Sequence, residues 1–147
     1  MAGLRRILFA SDFSKESGKA FAAALKMAKT NRATLTVLHV IAPLVPVTPD
    51  QYVGPETWRE LDRETRRWTA QRLAALTAKA KKGGVKAVGL TVDGSPAQQI
   101  VRIARSKRFD LVVIGTHGRT GLAKFFLGSV AGRVVSTAPC PVLTVRG

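Results

Sequence analysis

Acidic residues and cysteine are scarce in this chain. Nine Asp and Glu stand against 24 Lys and Arg in 147 residues, a formal net charge of +15. One cysteine, Cys140, excludes an internal disulfide framework. Two histidines and that cysteine follow no metal-ligand spacing, which argues against a zinc site built by the protein. No apolar run approaches the length that spans a bilayer, so membrane insertion is not expected. The start carries two arginines and then a short apolar run, whereas a secretory signal needs a longer stretch and a small-residue cleavage site. With the lone cysteine, this favours the cytoplasm.

What is present suffices for a core. Hydrophobic residues make up 46% of the chain, and its length suits one domain spanning residues 1–147. The charge is uneven: beyond Thr65 the only carboxylates are Asp93 and Asp110. Such a surface attracts anions, including nucleotides and nucleic acids, or it simply solubilises the chain.

Strand and helix patterns alternate. Residues 4–10 form an apolar run ending at Ser11-Asp12, the mark of a buried strand and a turn. Ser14 is a candidate N-cap for a helix with Phe21, Ala24, Leu25 and Ala28 on one face. Residues 33–41 are β-branched and apolar, a second strand. Pro43, Pro46 and Pro49 mark an exposed loop, and Pro55 suits the first turn of a long helix. Trp58, Leu61, Thr65, Trp68, Arg72 and Leu76 share a stripe on that helix, which Gly83-Gly84 stops. Residues 85–92 read as a third strand, and Ser95-Pro96 opens a helix facing inward through Ala97, Ile100, Val101 and Ala104. Residues 110–115 are a fourth strand. After a glycine-punctuated loop, Ser129 is a candidate cap for a short helix facing inward through Val130, Val134 and Val135. Residues 141–145 are the last strand. The alternation predicts a parallel sheet with helices on both faces. Right-handed crossovers then gather every strand-to-helix loop at one edge, where such sheets bind ligands.

Three loops carry the candidate chemistry: residues 10–14, residues 93–96 and residues 115–129. In the third, Gly115 and Gly118 permit close backbone approach. Gly128-Ser129 stands where a helix begins, and unpaired amides there favour an anion. The loop ends without Gly-Lys-Ser/Thr and is no Gly-x-Gly-x-x-Gly fingerprint, so it is either a different phosphate cradle or a glycine-rich turn with a capping serine.

The spacing Gly115-x2-Gly118-x9-Gly128-Ser129 resembles the ATP-binding signature of the universal stress protein family. Ile7-Leu8-Phe9-Ala10-Ser11-Asp12-Phe13-Ser14 resembles that family's first strand and loop, and Ala138-Pro-Cys-Pro-Val-Leu-Thr-Val-Arg its end. The similarity covers nearly the whole chain and is weakest across residues 43–80. It implies a Rossmann-like three-layer sandwich with a five-stranded parallel sheet of order 3-2-1-4-5. It also implies a homodimer through the last strand, here Val142, Leu143, Thr144 and Val145. By the same resemblance, Asp12 lies by the ribose of ATP and the backbone near Val40 meets adenine. Gly115, Gly118, Gly128, Ser129 and Val130 hold ribose and phosphates, with Ser11, Ile114 and Arg119 completing the expected site. Ala10 departs from the proline common there, which touches the adenine wall.

Individual residues keep alternatives. Asp12 either accepts a ribose hydroxyl or caps a helix. Asp93 reads as a turn residue, Asp110 as structural and His39 as packed within a strand. His117 has no nucleophile partner at a recognisable spacing. Arg119 and Lys124 either neutralise phosphates or are solvated. Mg²⁺ would arrive with ATP, mostly water-bound. The functional expectation is an ATP-dependent switch or sensor in the stress response, with little or no turnover because no carboxylate besides Asp12 and Asp93 is placed to reach the site and Asp12 is better used at the ribose. A slow ATPase, and an anion or nucleic-acid binder driven by charge, are the alternatives; nucleic acid is not favoured, for want of interleaved aromatics or a reader motif.

Overall fold

The computed structural model describes residues 3–44, 52–116 and 127–147. Nine elements alternate along the chain: β1 (Arg6–Ala10), α1 (Ser17–Asn31), β2 (Thr34–Ile41), α2 (Pro55–Lys82), β3 (Ala87–Asp93), α3 (Pro96–Ser106), β4 (Leu111–Gly115), α4 (Ser129–Thr137) and β5 (Val142–Val145). The strands form one parallel sheet of order β3-β2-β1-β4-β5. The order is the one the resemblance implied.

Why the sheet is buried on both faces is plain in β1. Ile7 and Phe9 point to one side, where Phe21, Ala24 and Ala28 of α1 and Leu73 and Ala80 of α2 cover them. Leu8 and Ala10 point to the other, against Ala97, Ile100 and Ala104 of α3 and Val134 of α4. Ile7, Leu8 and Phe9 are wholly excluded from solvent. A central strand apolar from Ile7 to Ala10 can be satisfied only by a layer on each face. β1 has β2 on one side and β4 on the other, with Ala10 in register with both Leu38 and Ile114.

Helix ends follow local chemistry, with corrections. α1 begins at Ser17 with Glu16 at the N-cap position, and Glu16 makes no side-chain cap bond. The expected cap, Ser14, instead closes the preceding turn: its hydroxyl accepts the Ser17 N–H at 3.2 Å, and its carbonyl accepts the Ser17 hydroxyl at 2.7 Å. α4 has Gly128 at its N-cap, so Ser129 is the first helical residue rather than the cap. Its inward face is Ala131 and Val134; Val135 is 47% exposed. Ser95 does sit at the N-cap of α3, though without a side-chain cap bond. Gly94 just before it has φ +134°, and a Cβ there would meet the Gln99 side chain at 3.0 Å. That turn demands glycine.

α2 needs a larger correction. The stripe expected to pack was Trp58, Leu61, Thr65, Trp68, Arg72 and Leu76, yet Leu61 and Trp68 are 40% and 39% exposed. The buried residues are Thr69, Leu73 and Ala80. The buried line is offset from the expected stripe by about one residue, with Leu76 of that stripe still packed, partly buried, against the same core. Thr69 is buried with its hydroxyl unpartnered. An unmet buried hydroxyl costs free energy that a methyl group does not. Thr69→Val is therefore expected to stabilise the fold by about 1 kcal/mol, raising the thermal midpoint by about 2–4 °C in calorimetry.

Candidate functional site

In this strand order, the helices after β1 and β4 leave toward opposite faces, α1 to one and α4 to the other. The carboxyl ends of the two strands therefore border a crevice. A cavity of about 500 Å³ lies there. Ala10, Ser11 and Asp12 line it from β1, Leu38, His39 and Val40 from β2, and Ile114, Gly115 and Thr116 from β4. Gly128, Ser129, Val130 and Ala131 at the start of α4 close one wall, and Pro96 and Ile100 of α3 another. Thus Ala10, Ser11, Asp12, Val40, Ile114, Gly115, Gly128, Ser129 and Val130, all singled out in the sequence, meet in one place. Gly118 and Arg119 lie outside the described residues, as do His117 and Lys124.

Ser11 anchors the β1–α1 turn. Its N–H extends the ladder to Leu38 O at 2.9 Å, and its hydroxyl accepts the Phe13 N–H at 3.0 Å. Its carbonyl lies 2.8 Å from His39 Nδ1, so the imidazole donates there as the Nδ1–H form. Asp12 Oδ1 accepts the Ser14 N–H at 2.9 Å. The carboxylate thus braces the turn at the start of α1 and also borders the cavity, so the two sequence readings of Asp12 describe one residue.

Phe13 pays for this turn with a left-handed backbone, φ +61°. For a residue with a bulky Cβ substituent that conformation costs about 1–2 kcal/mol, and it persists where surroundings fix it. Here they do. The Phe13 ring stacks on His39 at 4.3 Å between centroids and meets Trp68 edge-on at 5.3 Å. The Arg72 guanidinium lies over Trp68 and reaches Phe13 O at 3.4 Å. Trp68 and Arg72, assigned from sequence to a core stripe, instead clamp the loop beside the cavity.

The other candidates fall away from it. Asp93 takes Arg66 Nη2 at 2.9 Å, and Arg66 also binds Asp62 at 3.0 Å. These two carboxylates raise the Arg66 pKa, chiefly through the hydrogen bonds. Asp110 accepts the amides of Arg5 and Arg6 at 2.9 Å each, a structural role. Cys140 is half-buried. Burial first, and the Asp110 charge second, push its thiol pKa up, against a backbone hydrogen bond at Val112. It is a poor nucleophile. Among the described residues no group of His, Cys, Asp or Glu could hold a metal ion, and no helix is long and apolar enough to cross a membrane.

The cavity therefore offers apolar walls, one carboxylate and a helix start. In α4 the first intrahelical bond runs from Gly132 N–H to Gly128 O, which leaves the amides of Ser129, Val130 and Ala131 outside the helix's own ladder. Such a helix start favours an anion. The arrangement suits a ligand with a flat apolar part and a negative tail.

The sequence pattern described as the universal stress protein family matches residues 3–146. The chain belongs to that family. This universal stress protein is 35% identical over 145 residues to universal stress protein YxiE of Bacillus subtilis, covering 96% of this chain and 98% of the relative. Its fold is similar to that of MJ0577, a hypothetical protein whose biochemical function was assigned from structure, with a TM-score of 0.84, 25% identity, and 99% and 98% of the two chains covered. It shares the fold also with a universal stress protein solved in complex with cAMP, at a TM-score of 0.74, 22% identity, and 99% and 98% coverage.

Sequence reasoning missed His39, Ser17, Thr116 and Ile100 as cavity residues. His39 carried a usable signal: a lone ionisable residue in the apolar run of β2, two positions from its carboxyl end beside Val40. His39→Ala removes the partner of the Ser11 carbonyl and the ring under Phe13. It is expected to destabilise the universal stress protein by about 1–3 kcal/mol in urea unfolding. Trp68 emission is expected to shift to the red, read in a Trp58→Phe background.

Proposed function

We propose that this universal stress protein binds ATP in the cavity at the β1–β4 crevice and acts as a nucleotide-dependent switch or sensor in the stress response. The observation that carries this reading is the convergence of Asp12, the β2 wall and the start of α4 on one cavity of about 500 Å³, a volume typical of nucleotide-sized sites. The protein of this fold in complex with cAMP supports an adenine ligand. The charges set an orientation. Phosphates belong at the amides of Ser129, Val130 and Ala131, away from Asp12, whose carboxylate accepts a ribose hydroxyl. Adenine lies toward Val40 and Ile114. Gly118 and Arg119 of the signature would complete the phosphate side. Mg²⁺ would come with the phosphates, since the described residues gather no ligand set of their own.

Among the described residues of the cavity Asp12 is the one carboxylate, and it is committed to the turn. Water activation at a γ-phosphate finds no second carboxylate there, and the His39 ring is held by the Ser11 carbonyl, which supports a binder over an ATPase. The clamp of Phe13, His39 and Trp68 gives bound nucleotide a physical route to α2, a 28-residue helix with a largely exposed surface. Such a role suits the cytoplasm, where ATP is held.

Calorimetric titration of Mg-ATP into nucleotide-stripped protein is expected to show one site per chain, with affinity falling about tenfold in Asp12→Ala, a loss of about 1.4 kcal/mol. Absence of saturable binding, or binding that fades with salt equally in both proteins, would refute the site. Phosphate release by the wild type, abolished by Gly118→Val, would replace the switch with a slow ATPase.

We also propose a homodimer through β5. The strand pairs with β4 on one side only, and Val142, Leu143, Thr144 and Val145 are all half-buried. An apolar sheet edge with open backbone groups is a template for pairing with a second copy. Light scattering is expected to give twice the chain mass, and Leu143→Lys to give monomer; a strict monomer for the wild type at micromolar concentration would remove the proposal.

A further inference from the structure

A second cavity, also about 500 Å³, opens between α3 and α4 and shares no lining residue with the first. Buried Ala97 and Val101 form its floor. Arg102 and Arg105 of α3 and Arg133 of α4 stand exposed along its walls. Gln98, Ser106 and Thr137 add further polar groups.

Three guanidinium groups face one groove with no carboxylate among them. Among the described residues the ion pairs are those of Arg66 with Asp62 and Asp93, on α2 and β3. Arg102 Nε donates to Gln99 Oε1 at 2.7 Å, a neutral partner. From Gly94 to Gly147 the chain has eight Lys and Arg and one carboxylate, Asp110, whose Oδ2 accepts backbone amides. The negative end of the α3 dipole accounts for Arg105 in its last turn. It does not account for Arg133, at the middle of α4.

We infer that the α3–α4 groove binds the sugar–phosphate backbone of duplex nucleic acid without reading its sequence. Guanidinium forks match phosphate oxygens and keep their charge at every physiological pH. Arg102 and Arg105 are spaced by about 4.5 Å along the helix axis, so both can follow one strand while Arg133 reaches across from α4. An arginine cluster also suits an acidic or phosphorylated peptide, but exposed Lys107 and Arg108 carry the positive surface on past the end of α3, as the extended contour of a polyanion favours. A single strand would seek aromatic platforms for its bases, and no lining residue is aromatic. Backbone contact alone needs only cationic and polar donors, and it carries no sequence information.

The test is fluorescence anisotropy with a labelled duplex of about two helical turns, titrated at several salt concentrations. One variant is Arg102→Ala, Arg105→Ala, Arg133→Ala. The other, Lys81→Ala, Lys82→Ala, Lys86→Ala, removes equal charge from exposed positions at the end of α2 and before β3. The wild type is expected to bind at about 50 mM salt, with a log–log salt slope that flattens by about 2.7 in the arginine variant, near 0.9 for each lost contact. The lysine variant is expected to change less than half as much. An unaltered thermal midpoint and Mg-ATP affinity show that the arginine variant is folded; if it is not, Arg133→Glu alone, at an exposed mid-helix position, carries the same comparison. Equal losses in both variants would overturn the assignment, as would no duplex binding by the wild type. So would a single strand binding as tightly as the duplex, or poly-glutamate displacing it equally well at matched charge.

Discussion

Ser11 is the point at which strand must become turn, and the site depends on how that is done. A buried residue at this position has to satisfy an amide, a carbonyl and a hydroxyl at once. The amide stays with β2, the carbonyl is met by His39 and the hydroxyl takes the next turn's amide. Those three bonds force Phe13 into a left-handed conformation and aim Asp12 at the crevice. The aromatic stack on His39 then offsets the strain. Loss of any one bond would leave a buried polar group unmet, so the turn is held as a unit rather than as separate contacts.

The layers were legible because the strands leave no choice. Continuous apolar runs such as residues 7–10 and 111–114 can exist only between two covering layers. Alternation with helices then fixed parallel pairing and the edge where loops meet. Strand order did not follow from those patterns; it came with the resemblance in the glycine loop and the first strand. Helix facing was less legible. In α2 a stripe of large residues and a stripe of Thr69, Leu73 and Ala80 lie about one position apart, and periodicity cannot choose between them. The set that is buried is Thr69, Leu73 and Ala80, and the displaced tryptophan clamps the loop beside the cavity.

Cavity residues close to a turn were legible for a related reason. Strand ends, helix starts and glycines are marked in sequence by a change of pattern, and Asp12, Gly115, Gly128 and Ser129 all stand at such changes. His39, Ser17 and Ile100 stand inside or at the start of regular elements, where periodicity assigns a face but not what that face meets. His39 illustrates the cost of that limit. Read along the strand it is a packed residue; read across the sheet it is the partner of a carbonyl one strand away.

The scarcity of acid gives the molecule its polarity. A carboxylate repels a phosphate, so a nucleotide cavity should hold few, and should hold them away from the anion. Asp12 at the end of β1 and the amide-rich start of α4 satisfy that by lying on different walls of the crevice. On the far side of α3 and α4 no carboxylate lines the groove, and three arginines share it. α3 and α4 thus separate two anion-attracting regions by a layer of helix, one using backbone amides at a helix start and one using side chains along helix bodies. The first kind is short-ranged and shaped by fixed geometry. The second is long-ranged and weakened by salt. The two devices share no residue, so the proposed compact anion and the proposed extended one would not compete for the same groups.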